Sequence, residues 1–120
     1  MKEQEIIEGN KLIATFIGLE WDETCQAWYK NEKDNEYGIE TSRLQYHSSW
    51  DWLMSVVEKI RDYNCIVLIR VNRQVTTTTT TISCFSDWWK KDLNITEVGI
   101  ESTWKAVVEF INLHNKQNSK

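Results

Sequence analysis

Apolar residues recur along the chain with two different periods, and the change of period marks out the elements. In YHSSWDWLMSVVEKIRDYN, residues 46–64, Trp50, Leu53, Met54, Val57 and Ile60 fall at helical spacing, so they share one side of a helix over about 49–63. Ser48 and Asp51 stand at capping-box spacing before it, which predicts Ser48 as its N-cap. Trp52 lies roughly 200° around the helix from Trp50 at about 100° per residue, so the two rings cannot enter one core layer. One of them needs another partner, and packing under residues 19–45 is the favoured one. A second helix is expected over 3–17, with Ile6, Ile13 and Ile17 on one face, Leu12 and Phe16 at its margins, and Gly18 ending it in a left-handed conformation. Asn10 interrupts that face, either at its rim or hydrogen-bonded inside, and burial statistics favour the rim. A third helix over 100–114 carries Ile100, Trp104, Val107, Val108 and Ile111, and the tail 115–120 is expected to fray.

Between the second and third stripes the pattern turns to that of strands. CIVLIRV, residues 65–71, is an almost unbroken β-branched and apolar run, which predicts a strand covered on both faces and central in its sheet. Asn72-Arg73 reads as a two-residue hairpin turn, and the return strand, 74–85, contains the run Thr76 to Thr81. Threonine has β propensity without much hydrophobicity, so this strand is expected at an edge. Residues 19–46 are irregular, with Trp28-Tyr29 as a short strand against which Arg43 to Tyr46 pairs back. DWWKKDL, residues 87–93, is a connection in which Trp88 and Trp89 face opposite ways. The resulting order predicts one α+β domain, an α/β/α three-layer sandwich in which helices cover a small antiparallel sheet.

Composition narrows the function classes more than the fold. A length of 120 residues suits one core, and no apolar run approaches a membrane span. The N-terminal MKEQEIIEGNKLI lacks the basic start and apolar segment of a secretory signal, so a cytoplasmic location is expected. On the same ground Asn94-Ile95-Thr96 is an accidental match to a glycosylation acceptor. A formal charge of −4 disfavours binding to a nucleic acid duplex. Cys25, Cys65 and Cys84 are odd in number and widely spaced, which suits reduced thiols rather than a disulfide framework and offers no metal spacing. Seven Trp residues and no Pro imply heavy aromatic packing, with some rings available for contact.

Three segments carry a family resemblance. NKLIATFIG at 10–18, YHSSWDWLMSVVEKI at 46–60 and ESTWKAVVEFI at 101–111 are similar, in pattern and order, to the phage ABA-sandwich domain family. SSWDWLM is the most specific part, and residues 19–45 lie outside the likeness. The resemblance implies an α/β/α sandwich and a phage or prophage origin, and it brings no established activity. The Thr run departs from the commoner pattern of that family.

Catalytic arrangements are thin. A Cys25 nucleophile with His47 and Asp51 or Asp22 lacks a nucleophile turn, and the acids Glu20, Asp22, Glu23, Asp34 and Glu36 read as solvated loop charges. Gly-rich phosphate loops are missing, and no cofactor or metal is implied. Binding is the better expectation. Trp28, Tyr29, Tyr46, Trp50, Trp52 and Trp88 are candidate stacking surfaces for a nucleobase, and Arg43, Arg70 and Arg73 candidate forks for phosphate. His47 and Ser48 complete the candidate site at the start of the central helix. The expected function is that of a non-enzymatic phage accessory protein. In that reading it is a counter-defence protein that sequesters a host nucleotide signal or blocks a host immune protein, as a homo-oligomer. The alternatives are a nucleotide-processing enzyme and a virion or regulatory interaction module.

Overall fold

The computed structural model describes residues 1–30, 38–86, 89 and 91–118. Helix α1 spans Glu3–Phe16, strands β1 and β2 are Leu19–Asp22 and Ala27–Lys30, and a single 3-10 turn covers Thr41–Arg43. Helix α2 (Trp50–Arg61) leads into β3 (Cys65–Asn72) and β4 (Thr77–Cys84), followed by β5 (Leu93–Glu97) and helix α3 (Ile100–Asn118). β1 and β2 form a small antiparallel hairpin, and β3, β4 and β5 form an antiparallel sheet in that order. The protein is therefore α+β, with helices packed against a small antiparallel sheet, as the alternation of periods implies.

Alternation along β3, β4 and β5 assigns their side chains to two faces. Cys65 and Val67 of β3, and Thr78, Thr80, Ile82 and Cys84 of β4, are buried on the inner face, against which α2 and α3 pack. The same core holds Leu53, Val56, Val57 and Ile60 of α2 and Trp104, Val107, Phe110 and Ile111 of α3. α1 packs along α3, where Gly9 admits the Trp104 ring so closely that a Cβ there would lie 2.2 Å from Cζ2. Lys59 of α2 ties the other end of α1 down by donating to the Phe16 carbonyl, its ammonium 5.1 Å from the centre of the Phe16 ring.

Several expectations are corrected at this level. β3 is at the edge of its sheet and the Thr-rich β4 is central. The reason lies in the hydroxyls: Thr80 is fully buried, and its Oγ1 lies 2.8 Å from both Ser102 Oγ and Thr103 Oγ1 of α3, so the polar run is satisfied inside. Nor is CIVLIRV covered on both faces, since Ile66 and Leu68 are 45% and 46% exposed. The β3–β4 turn is not Asn72-Arg73: Asn72 pairs with Thr77 across a four-residue loop, with Thr76 at φ 51°. That register sets Cys65 opposite Cys84, and the two form a disulfide, correcting the expectation of reduced thiols. β5 is a strand the sequence pattern does not predict: only its first residue, Leu93, falls in the expected connection 87–93. The partner of β2 is β1, with Trp28 bridging further to Ile39, while Arg43 to Tyr46 forms no strand. α3 continues to Asn118, into the tail 115–120 expected to fray, whose last two residues lie outside the described ones.

Along α1, the buried positions are Gly9, Asn10, Ile13 and Ala14, while Ile6 and Ile17 are half-buried. Asn10 is 2% exposed and not at the rim. Gly18 does end the helix with φ 96°, where an L side chain would be strained. In α2 the cap is Ser49, whose Oγ accepts from Trp52 N, rather than Ser48. Trp50 is not in the stripe but 41% exposed; Trp52 is the ring drawn inward.

Candidate functional site

The segment from Ile39 to Ser49 runs as a strap between β2 and α2, and each part of it is fastened to a different element. Ile39 exchanges two backbone hydrogen bonds with Trp28, of 2.8 and 2.9 Å. Thr41 Oγ1 accepts from the Trp28 indole at 3.0 Å, and Leu44 is fully buried. The Leu44 carbonyl then accepts from Asn10 Nδ2 at 3.1 Å, and His47 Nδ1 lies 2.9 Å from the same amide nitrogen. Asn10 Oδ1 accepts from the Trp104 indole at 2.9 Å. One buried amide on α1 thus holds the strap and α3 together.

These partners fix a proton. The Leu44 carbonyl can only accept and the Trp104 indole can only donate, so the Asn10 amide has a single orientation. Its second N–H points at His47 Nδ1, which must accept, and the imidazole is therefore neutral with its proton on Nε2. Burial lowers the proton affinity of His47 below the usual imidazole range, in agreement with this arrangement.

Clefts flank the strap on two sides. A cleft of about 300 Å³ lies toward α1, lined among others by Glu3, Thr41, Ser42 and His47. Another, of about 280 Å³, is lined by Ile17, Leu19, Ile39, Tyr46, Trp52 and Ser55. In it the Tyr46 and Trp52 rings meet edge to face at 5.2 Å, and burial pushes the Tyr46 phenol up to about 12. The turn after Tyr46 brings that ring back over α2, which is why Trp52 rather than Trp50 turns inward.

The structure gathers part of the expected site and disperses the rest. Tyr46, His47 and Trp52 belong to the strap and its clefts, and Trp28 anchors the strap from behind. Trp28 and Tyr46 are 6% and 2% exposed, so they are packing rings and not open stacking platforms. Tyr29 lies against Gly38, where a Cβ would come within 2.6 Å of its ring. Ser48 is exposed in the turn, and Arg43 is exposed at the end of the 3-10 turn. Arg70 and Arg73 are exposed on β3 and in the β3–β4 loop, on other elements than the strap. Trp88, Asp34 and Glu36 lie outside the described residues.

The catalytic arrangement considered around Cys25 is not assembled. Cys25 is exposed in the β1–β2 turn beside Asp22, and its thiol, followed by burial, raises the Tyr29 phenol above its ordinary value. His47, by contrast, is engaged with Asn10. Among the described residues no three His, Cys, Asp or Glu side chains gather as a metal site requires, and no helix is long and apolar enough to cross a membrane.

Sequence reasoning did not single out the outer face of the sheet. Ile66, Leu68 and Arg70 project there from β3, and Phe85, whose N–H bonds the Asn64 carbonyl, continues it at 72% exposure. Beside them Thr79 and Thr96 hydroxyls meet at 2.8 Å, and Thr81 donates to Asn94 Oδ1 at 2.6 Å. The available signal was the unbroken apolar run of CIVLIRV, which a solvated outer face does not need. Comparison of the chain with protein-family models, with curated proteins and with solved structures finds no match.

Proposed function

We infer that the chain is a non-enzymatic binding protein that works by covering a surface of another protein, with the outer face of the β3–β4–β5 sheet as its contact surface. The observation that carries this reading is the exposure of Ile66, Leu68 and Phe85 on a face where alternation ordinarily places polar residues. The polar groups beside them are already paired with one another, Thr79 with Thr96 and Thr81 with Asn94. Covering them strands fewer unsatisfied donors than covering free hydroxyls would, so desolvation of this face costs little. The burial of Trp28 and Tyr46 favours this reading over sequestration of a nucleotide, which needs open rings and nearby cations.

In its most concrete form the reading is a phage accessory protein that blocks a host protein in the bacterial cytoplasm. The phage origin rests on the family resemblance alone. The Cys65–Cys84 bond weighs against a permanently reducing setting. The intact mass of protein recovered from cells under thiol-blocking conditions reads the redox state of the pair there: Cys25 takes one blocking group in either state, and a reduced Cys65 and Cys84 take two more.

The contact surface is tested with a photo-crosslinking residue placed at Leu68 and, as a control, at the exposed Glu58 of α2, in bacterial cells producing the chain. A discrete adduct from Leu68 that is missing from Glu58 is expected. No adduct at Leu68, or the same adducts at both positions, would contradict the assignment.

A further inference from the structure

Asn10 makes three hydrogen bonds and has no freedom to make them differently. Its Oδ1 is held by the Trp104 indole, a donor only, and one of its N–H groups by the Leu44 carbonyl, an acceptor only. Turning the amide over would place two donors against each other at Trp104 and two acceptors against each other at Leu44. The third contact, to His47 Nδ1 at 2.9 Å, is the one whose partner can change character, because an imidazole that takes up a proton donates from both nitrogens. Protonated His47 would then set an N–H against the N–H of an amide that cannot rotate away.

We propose that the Asn10–His47 contact is a proton-operated latch: neutral His47 holds the turn from His47 to Ser49 onto α1, and protonated His47 releases that turn. Release follows without breaking a covalent bond. A proton from solvent binds Nδ1, the Asn10 N–H loses its acceptor, and the half-buried imidazole swings into the adjoining cleft of about 300 Å³. Beyond this hub the strap's second half is held by the burial of Leu44 and of Tyr46, the latter against Trp52, so what the latch frees is the turn from His47 to Ser49. The 3-10 turn ends at Arg43, Leu44 is bound through the same Asn10, and Ser48 N and Ser49 N bond only the Gln45 carbonyl within the turn.

The charges around His47 come from two sides. Met1 and Glu3, at the start of α1, line the same cleft, and the Met1 amine faces Glu101 of α3 at 4.0 Å; Arg43 and Asp51 stand four residues to either side of His47 in the chain, and α3 meets the hub itself through the uncharged Trp104 indole. Burial is the force that lowers its proton affinity, and none of these charges offsets it. The sign of the pH dependence follows. With the folded value below the ordinary 6.5, the latch is fully closed above that value, and its contribution is lost as pH falls through 6.5 toward the folded value.

The experiment uses the full chain and reads two quantities. Imidazole nitrogen shifts in NMR are expected to show His47 as the Nε2–H tautomer at neutral pH, titrating below 6.5. Amide protection factors at Ser48 and Ser49 are expected to fall about tenfold as His47 protonates, the size of effect that loss of a single buried hydrogen bond produces. Protection in β3 and β4 should hold over the same range. His47→Gln keeps an acceptor for Asn10 at every pH and should abolish the fall at Ser48 and Ser49. His114→Gln, which removes the chain's other imidazole, should leave it in place. A Nδ1–H tautomer, titration at or above 6.5, or a fall that survives in His47→Gln would each overturn the latch. If His47→Gln does not fold, the tautomer and titration of the native chain decide alone.

Discussion

Asn10 sits in the middle of the apolar face of α1, and its three partners come from two other parts of the chain. Replacing it by Ala would leave the Trp104 indole N–H and the Leu44 carbonyl buried without partners. Since an orphaned buried group costs about 1–3 kcal/mol, Asn10→Ala is expected to lower stability by about 3 kcal/mol, read as a shift of the urea midpoint at unchanged slope. A loss under about 1 kcal/mol would mean that water satisfies the hub. The sequence placed Asn10 on the right face and assigned it to the rim, because an isolated Asn gives no sign of a donor 94 positions away. Only the close approach of Gly9 to Trp104 brings that indole within reach. His47 was legible as a candidate from its place beside the start of α2, but its tautomer was not, since that depends on which way Asn10 faces.

At the scale of elements, α2 shows what helical spacing can and cannot decide. Leu53, Val57 and Ile60 are buried as their spacing implies. Spacing puts Trp50 in the stripe and the structure puts Trp52 inward instead, because the choice depends on where the strap brings Tyr46. Trp52→Ala is accordingly expected to cost about 2 kcal/mol, less than a fully buried indole because the ring is half-buried. Trp50→Ala should stay within about 0.5 kcal/mol. Chemical denaturation of the pair distinguishes them, and equal costs would mean that Trp50 packs in solution. The hairpin carries a related lesson. A two-residue turn at Asn72-Arg73 would pair Val71 with Gln74 and set Cys65 opposite Thr80, so the expected register hides the disulfide that the odd cysteine count also argues against. With a separation of 19 residues, the cross-link should supply about 3 kcal/mol by restricting the unfolded chain. Adding reductant, or substituting Cys65→Ser with Cys84→Ser, is expected to lower the melting temperature clearly. An unchanged melting curve would show that the sheet does not depend on the bond.

For the whole molecule, the three helices and the central hairpin were legible, because their hydrophobic periods are long and regular. Strand order was not. Thr76 to Thr81 reads as an edge by polarity, and it is central because Thr80 finds Ser102 and Thr103 on α3. β5 was hidden for the opposite reason: LNITE alternates over only five residues, with both faces partly exposed. Because α2 and α3 both pack on the inner face of the sheet, Ile66 and Leu68 of β3 are left outside, and the candidate contact surface arises from this. Helix α2 and helix α3 use Cys65 and Val67 on one face, while Ile66 and Leu68 have no described core to enter. Their exposure is expected to contribute little to folding and much to association.

The most direct measurement is therefore made on Ile66→Thr, Leu68→Thr and Phe85→Thr combined, since Thr retains β propensity while removing the apolar surface. Stability of the variant and its retention of the partner that crosslinks at position 68 are measured side by side. The account predicts a melting temperature close to that of the native chain together with loss of the partner. A variant that unfolds would show that these residues serve the core, and one that keeps both stability and partner would show that the outer face is not the contact surface.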